Sequence, residues 1–180
     1  LYNVDSIASF SNAVEYAMSL GVDIISVSLG FPLQPTDGTG LLCEVVDEAY
    51  ESGVLVVVSA GNEAENHWEG VFQDDDSDDY HNFFGSDETN AFVARKGEII
   101  DLQLTWDDWP YSDQDYDLYL YDDSMTEIGY SENTQNGFQS PSEDILMYAP
   151  YSGDYSIVIE RYSATRNVNF DLYTENSYID

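Results

Sequence analysis

Over residues 6–62 the apolar positions switch between a helical and a strand period. After Ser6, residues Ile7, Phe10, Ala13, Val14, Ala17 and Leu20 recur at three- and four-residue spacings, which predicts an amphipathic helix capped by Ser6 and closed by Gly21. Val22–Leu29 reads as a short apolar strand. Leu41–Ser52 reads as a second helix with Leu42, Val45, Val46 and Ala49 on one face, and Val54–Ser59, after Gly53, as another strand. With Leu1–Val4 as the end of a preceding strand, the order is βαβαβ, a three-stranded parallel piece joined by right-handed crossovers. Strands this short and this β-branched suit a sheet covered on both faces. Ligands of such sheets sit just beyond the carboxyl ends of the strands, here at Gly30 and Asn62. Three parallel strands also leave two sheet edges that further strands, or another chain, would cover.

From about Phe83 the period falls to two. Ile99, Leu102, Leu104 and Trp106; Tyr116, Leu118 and Leu120; Ile145 and Met147; Tyr155, Ile157 and Ile159; and Val168, Phe170 and Leu172 alternate with polar residues. Short strands separated by Gly, Pro, Asp and Ser clusters predict an antiparallel sandwich or jelly roll. The expected organisation is therefore an α/β domain over 1–68, an acidic junction over 69–88 and an all-β sandwich over 89–180.

Charge changes the picture of the surface. The 180 residues include 36 acidic and 4 basic side chains, a net charge of −32. With 43% hydrophobic residues and 15 Tyr there is enough apolar material for cores, so the acidity belongs to the surface rather than to a disordered chain. Such a surface repels nucleic acid and anionic membranes, and its self-repulsion calls for salt or bound cations. It suits a salt-loving source or a calcium-rich extracellular setting equally. No stretch approaches the roughly 20 apolar residues of a spanning helix. A chain opening on Leu1, with neither initiator Met nor a signal-peptide pattern, reads as a segment or a processed product. Cys43 is a single cysteine and can form no intrachain disulfide.

The helix around Ala13-Val14-Glu15-Tyr16-Ala17, the strand ending Ser26-Val27-Ser28-Leu29-Gly30, and Gly53 through Ser59-Ala60-Gly61-Asn62 stand in an order and spacing that resembles the substrate-binding core of subtilisin-like serine peptidases. The resemblance covers about 60 residues. It implies that Ser28, Leu29 and Gly30 pair main chain to main chain with an extended substrate and form one wall of the primary specificity pocket. Ser59, Ala60 and Gly61 would form the opposite wall. Asn62 matches the oxyanion-hole asparagine, whose amide donates to the developing oxyanion; removing that donor costs about 3–4 kcal/mol of barrier in a member of this same family. Taken by itself, a Gly-Asn pair after a strand also fits a plain turn. Asp115 through Tyr121 and Gly153 through Ile159 resemble strands of the pre-peptidase C-terminal type of β-sandwich that accompanies secreted peptidases.

The resemblance stops short of a complete active site. Catalysis of this kind needs an Asp, a His and a Ser from three distant segments, and none of the family's triad motifs occurs here. His67 and His81 stand in the wrong contexts and read as surface or loop histidines. Asp37-Gly38-Thr39-Gly40 has the wrong order for an aspartic peptidase. The sandwich occupies the place where the peptidase fold continues toward its serine, so it reads as an insertion.

In the acidic junction, Asp74, Asp76 and Asp78 alternate, and Tyr80 offers a backbone carbonyl, as in the first half of a calcium loop. Asp79 stands where such a loop has Gly, and Gly85 where it has a bidentate Glu. A calcium site and a solvated acidic run both fit. A second cluster, Asp107, Asp108, Asp113, Asp115 and Asp117 around Trp106 and Trp109, fits either another hard cation or a polar face of the sandwich.

The function expected is that of a segment of a secreted subtilisin-like endopeptidase, inert by itself, with a peptide or protein substrate and the remaining peptidase segments as partners. The competing expectation is a non-catalytic, calcium-binding structural subunit of a filament or surface layer, with further copies of the chain as partners. Both place it outside the cell or at its surface.

Overall fold

Ser6 opens α1 (Ile7–Ser19) through a reciprocal capping box: its Oγ accepts the Ser9 N–H at 3.2 Å, and Ser9 Oγ accepts the Ser6 N–H at 3.0 Å. Gly21, at φ +70°, turns the chain out of the helix. In this computed structural model, which describes residues 2–31, 33–62 and 65–174, β1 (Ile24–Val27), α2 (Leu41–Glu51) and β2 (Leu55–Val58) follow. β1 and β2 are parallel neighbours, in register from Ile24 opposite Leu55 to Val27 opposite Val58. Phe10 and Val14 of α1, Val45 and Ala49 of α2, Val27 and Val54 form one small core.

Two expectations change here. Tyr2–Val4 forms no strand, and Leu1 lies outside the described residues, so among the described residues the parallel sheet has two strands instead of three. Nor is the sheet covered on both faces. Ile25 and Val56 pack toward the helices, whereas Ile24 (61% exposed), Leu55 (54%) and Val57 (49%) lie open. α1 and α2 pack on the face of Ile25 and Val56, and the alternate residues have no layer to pack against.

The chain divides at Asn62–Glu63 into two compact units. The second is a sandwich of two four-stranded antiparallel sheets built from β3 (His67–Val71), β4 (Asn90–Ala94), β5 (Ile99–Trp106), β6 (Asp115–Asp122), β7 (Glu127–Ser131), β8 (Ser142–Tyr148), β9 (Gly153–Ser163) and β10 (Asn169–Thr174). One sheet runs β3-β10-β5-β8 and the other β4-β9-β6-β7. Leu102, Leu104, Trp106, Tyr116, Leu118, Leu120, Ile157, Ile159, Phe170 and Leu172 fill the space between them, as the alternation predicts. At the start of β5 the inward residue is Ile100, while Ile99 is exposed.

The stretch 67–88 belongs to this sandwich. Trp68 pairs with Leu172 in register. Phe72 is fully buried and donates its N–H to Val168 O at 2.9 Å, and His81 N–H donates to Ile159 O at 2.9 Å. The acidic residues 74–80 therefore form a loop pinned at both ends to sandwich strands.

Candidate functional site

The two peptides singled out in the first unit leave adjacent parallel strands side by side. The ladder continues one step past the strands, with Ser59 N–H donating to Val27 O at 3.0 Å. Ser28–Gly30 and Ser59–Asn62 thus emerge together from the carboxyl ends of β1 and β2, where open parallel sheets bind ligands. Ser28, Gly30, Ser59, Ala60, Gly61 and Asn62 are exposed, and Leu29 packs partly into the core beneath them. Gly61 has φ +91°, a left-handed conformation that glycine adopts without penalty, and it turns the chain immediately before Asn62.

In the acidic loop, ligand atoms of Asp74, Asp76 and Asp78 lie within 4.8 Å of one another, close enough for one cation. Asp74 is already engaged. Its Oδ1 accepts N–H groups from Ser77 at 2.7 Å and Asp78 at 3.2 Å, its Oδ2 accepts that of Asp79 at 3.2 Å, and Arg161 Nη2 lies 2.8 Å from Oδ2. Arg161 also reaches Asp79 Oδ1 at 3.1 Å and lies over the Phe72 ring, 4.7 Å from its centroid. Tyr80 donates its N–H to Asp78 Oδ1 at 3.1 Å, and its phenol pKa is raised by burial. The loop is thus an acidic cluster balanced on one side by an arginine that the sequence pattern did not connect to it.

The second acidic cluster splits in two. Asp107 and Asp108 pair with Arg166 at 3.1 and 3.0 Å. Asp113 accepts a hydrogen bond from the Gln114 side chain. Asp115 and Asp117, on β6, are buried elsewhere in the sandwich, where Asp115 Oδ1 accepts the Gln135 N–H at 3.2 Å. Burial pushes the Asp117 carboxyl up to about 7, helped by the surrounding Asp115, Glu143, Glu132 and Glu160. Glu143, absent from the sequence-based candidates, is fully buried at the start of β8. Its carboxylate accepts from Ser131 Oγ, from the Asn133 N–H at 3.0 Å, from Asn133 Nδ2 at 2.9 Å and from Gln135 Nε2 at 2.7 Å.

The histidines are less peripheral than their contexts suggest. His67 is half-buried, with Nε2 3.0 Å from Asp171 Oδ1 and its ring stacked on Tyr173. His81 is only 1% exposed, packed edge-on among Trp68, Phe83 and Phe170, with Nδ1 accepting the Gln73 N–H at 3.0 Å. Burial lowers its pKa to about 4, which keeps the ring neutral. No helix among the described residues is long and apolar enough to cross a membrane.

The first unit is an α/β unit whose two parallel strands end side by side on exposed main chain. Residues 5–91 match the subtilase family. The chain is 43% identical over 51 residues to subtilisin DY of Bacillus licheniformis, a match covering 28% of this chain and 17% of that protein. It is 44% identical over 52 residues to subtilisin E of Bacillus subtilis (strain 168), covering 29% and 13%. With the major intracellular serine protease of the same strain it shares 46% identity over 54 residues, covering 30% and 16%. The matched segment spans less than a fifth of the length of each of these relatives. The pre-peptidase C-terminal domain of a Bacillus anthracis collagenase aligns with 65% of this chain and all of that domain, at TM-score 0.40 and 14% identity. The chain thus has a segment similar to subtilases, residues 5–91, which runs from the first unit into the strands of the β-sandwich.

Proposed function

We propose that this chain is part of a secreted subtilisin-like serine endopeptidase and supplies substrate-binding main chain and the oxyanion donor, the Asp, His and Ser of the triad coming from other segments of the protein. An extended peptide would lie between Ser28–Gly30 and Ser59–Gly61, and the Asn62 amide would donate to the oxygen that becomes negative in the tetrahedral intermediate. The observation that carries this reading is the emergence of these two peptides side by side from neighbouring parallel strands. Calcium at Asp74, Asp76 and Asp78, with the Tyr80 carbonyl, would neutralise part of the acidic surface in the extracellular medium.

The test is Asn62→Ala in the full-length protein carrying this chain. The expected result is a fall in kcat of about 10²–10³, the size seen for this donor in a member of the family, with KM and melting temperature nearly unchanged. An unchanged kcat removes Asn62 from the oxyanion hole. A serine-directed fluorophosphonate should label no serine of the isolated chain; labelling would mean that the nucleophile lies within it.

The exposed face of Ile24, Leu55 and Val57 favours a second reading, a structural subunit whose further copies cover the open sheet. Light scattering separates the two: discrete monomers at high concentration, in salt and calcium, count against assembly.

A further inference from the structure

β8 ends one sheet of the sandwich and β7 ends the other. The two edges meet at Gly129, where a Cβ would lie 3.3 Å from Met147 Sδ and 3.4 Å from Ile145 Cγ2. The first half of the β8 edge is covered: Asp144 N–H donates to Ser131 Oγ at 3.3 Å, and Glu143 holds Ser131, Asn133 and Gln135 beside it. The second half is open. Main-chain groups of an antiparallel strand alternate in direction, and Ala149 N–H donates to Glu98 O on the β5 side. The N–H and C=O of Leu146 and Tyr148 therefore point the other way, as that of Asp144 does, and no strand among the described residues pairs with them. β8 pairs with β5 without a bulge from Ile99 opposite Tyr148 to Thr105 opposite Ser142, and Ile145–Tyr148 contains neither Pro nor Lys. This half lacks the devices that usually blunt a sheet edge.

Beside the open edge lies a groove of about 540 Å³ between Glu127–Tyr130 and Asp144–Met147. Ile128 and Met147, packed against the sandwich core, give it an apolar floor. Its charged residues, Glu127 and Asp144, are exposed and acidic, and none of the four basic residues of the chain lines it. An occupant that fits must supply main-chain donors and acceptors in strand geometry, apolar side chains for the floor and positive charge for the rim. A second copy is disfavoured, because each chain carries a net charge of −32. We propose that Ile145–Tyr148 and this groove bind an extended, lysine- or arginine-bearing segment of another polypeptide, which adds as a fifth strand to the sheet β3-β10-β5-β8. The site belongs to the sandwich and does not depend on the peptidase reading.

The test uses the whole chain and fluorescein-labelled hexapeptides, read by fluorescence anisotropy at physiological ionic strength. A peptide of alternating lysine and valine should bind, and one of alternating glutamate and valine should not. Glu127→Lys together with Asp144→Lys should weaken the lysine peptide about tenfold or more, whereas Glu15→Lys with Glu51→Lys, the same charge change in the first unit, should leave it nearly unchanged. Equal losses from the two pairs would reduce the binding to general charge attraction and overturn the proposal. Leu146→Pro removes an N–H that β5 does not use, so it should abolish peptide binding with little change in melting temperature. Pairing is tested from the peptide side as well, which needs no substitution in the chain. N-methylation of either the valines or the lysines should block binding, and methylation of the other set should spare it, because alternate N–H groups face opposite edges. Equal effects of the two methylations, or no binding of the lysine peptide at all, overturn the proposal. So does self-association of the chain that Leu146→Pro abolishes, which would give the edge to a second copy.

Discussion

Arg161 Nη2 lies 2.8 Å from Asp74 Oδ2, joining residues 87 positions apart and fastening the acidic loop to β9. The Asp74 side chain is almost fully buried and that of Arg161 three-quarters buried, so this pair is screened less than a surface ion pair. The loop thus holds one internal cation before any metal arrives, which weakens the mutual repulsion of its carboxylates.

Removing that cation makes the first prediction. Arg161→Met leaves Asp74 buried without its partner and should cost about 2–3 kcal/mol of stability in chelator, by urea denaturation. Calcium should restore more stability to this variant than it adds to the unsubstituted chain, since ligand binding to the folded state adds RT ln(1 + [L]/Kd). In the unsubstituted chain, calcium should raise the melting temperature more than sodium chloride at equal ionic strength. Equal effects of the two salts would reduce the loop to a solvated acidic run.

His81 makes a pH prediction. Its folded pKa of about 4 lies below the usual histidine value of 6.5, so the unfolded chain binds the proton more tightly. The stability it contributes is complete above pH 6.5 and is lost as pH falls toward 4, about 3 kcal/mol over that window. Its proton NMR signal should titrate near pH 4; a midpoint near 6.5 would contradict the burial of the ring among Trp68, Phe83 and Phe170.

Gly70 is needed for space. A Cβ there would lie 2.5 Å from Cζ2 of Trp68, whose ring packs edge-on against His81 and Phe83. Gly70→Ala should displace the indole and cost about 1–3 kcal/mol. The tryptophan emission of the folded state should shift with it, and an unchanged spectrum and stability would refute the close approach.

Glu143 organises the chain from Ser131 to Gln135. Glu143→Leu strands four donors in a buried place and should cost about 3 kcal/mol or more, whereas Glu143→Gln keeps the shape and should cost less. Denaturation of the two variants checks the order.

Local pattern determined the elements whose own residues decide them. α1 was legible because Ser6 caps it and Phe10 and Val14 share a face, and β5, β6, β8, β9 and β10 because alternation marks a sandwich strand whatever its neighbour. The paired peptides at Ser28–Gly30 and Ser59–Asn62 were legible for the same reason: short apolar strands carry them. β3 was not, since His67-Trp68-Glu69-Gly70-Val71 has no clean period and is a strand only through β10, about a hundred residues away. The same distance hid the burial of His81, the Arg161–Asp74 pair, and the division of the Asp107–Asp117 cluster between Arg166 and Gln135. A side chain's period is set by its own backbone geometry, but its partner is set by chain closure, and only the tertiary structure decides which charges and polar atoms closure leaves together.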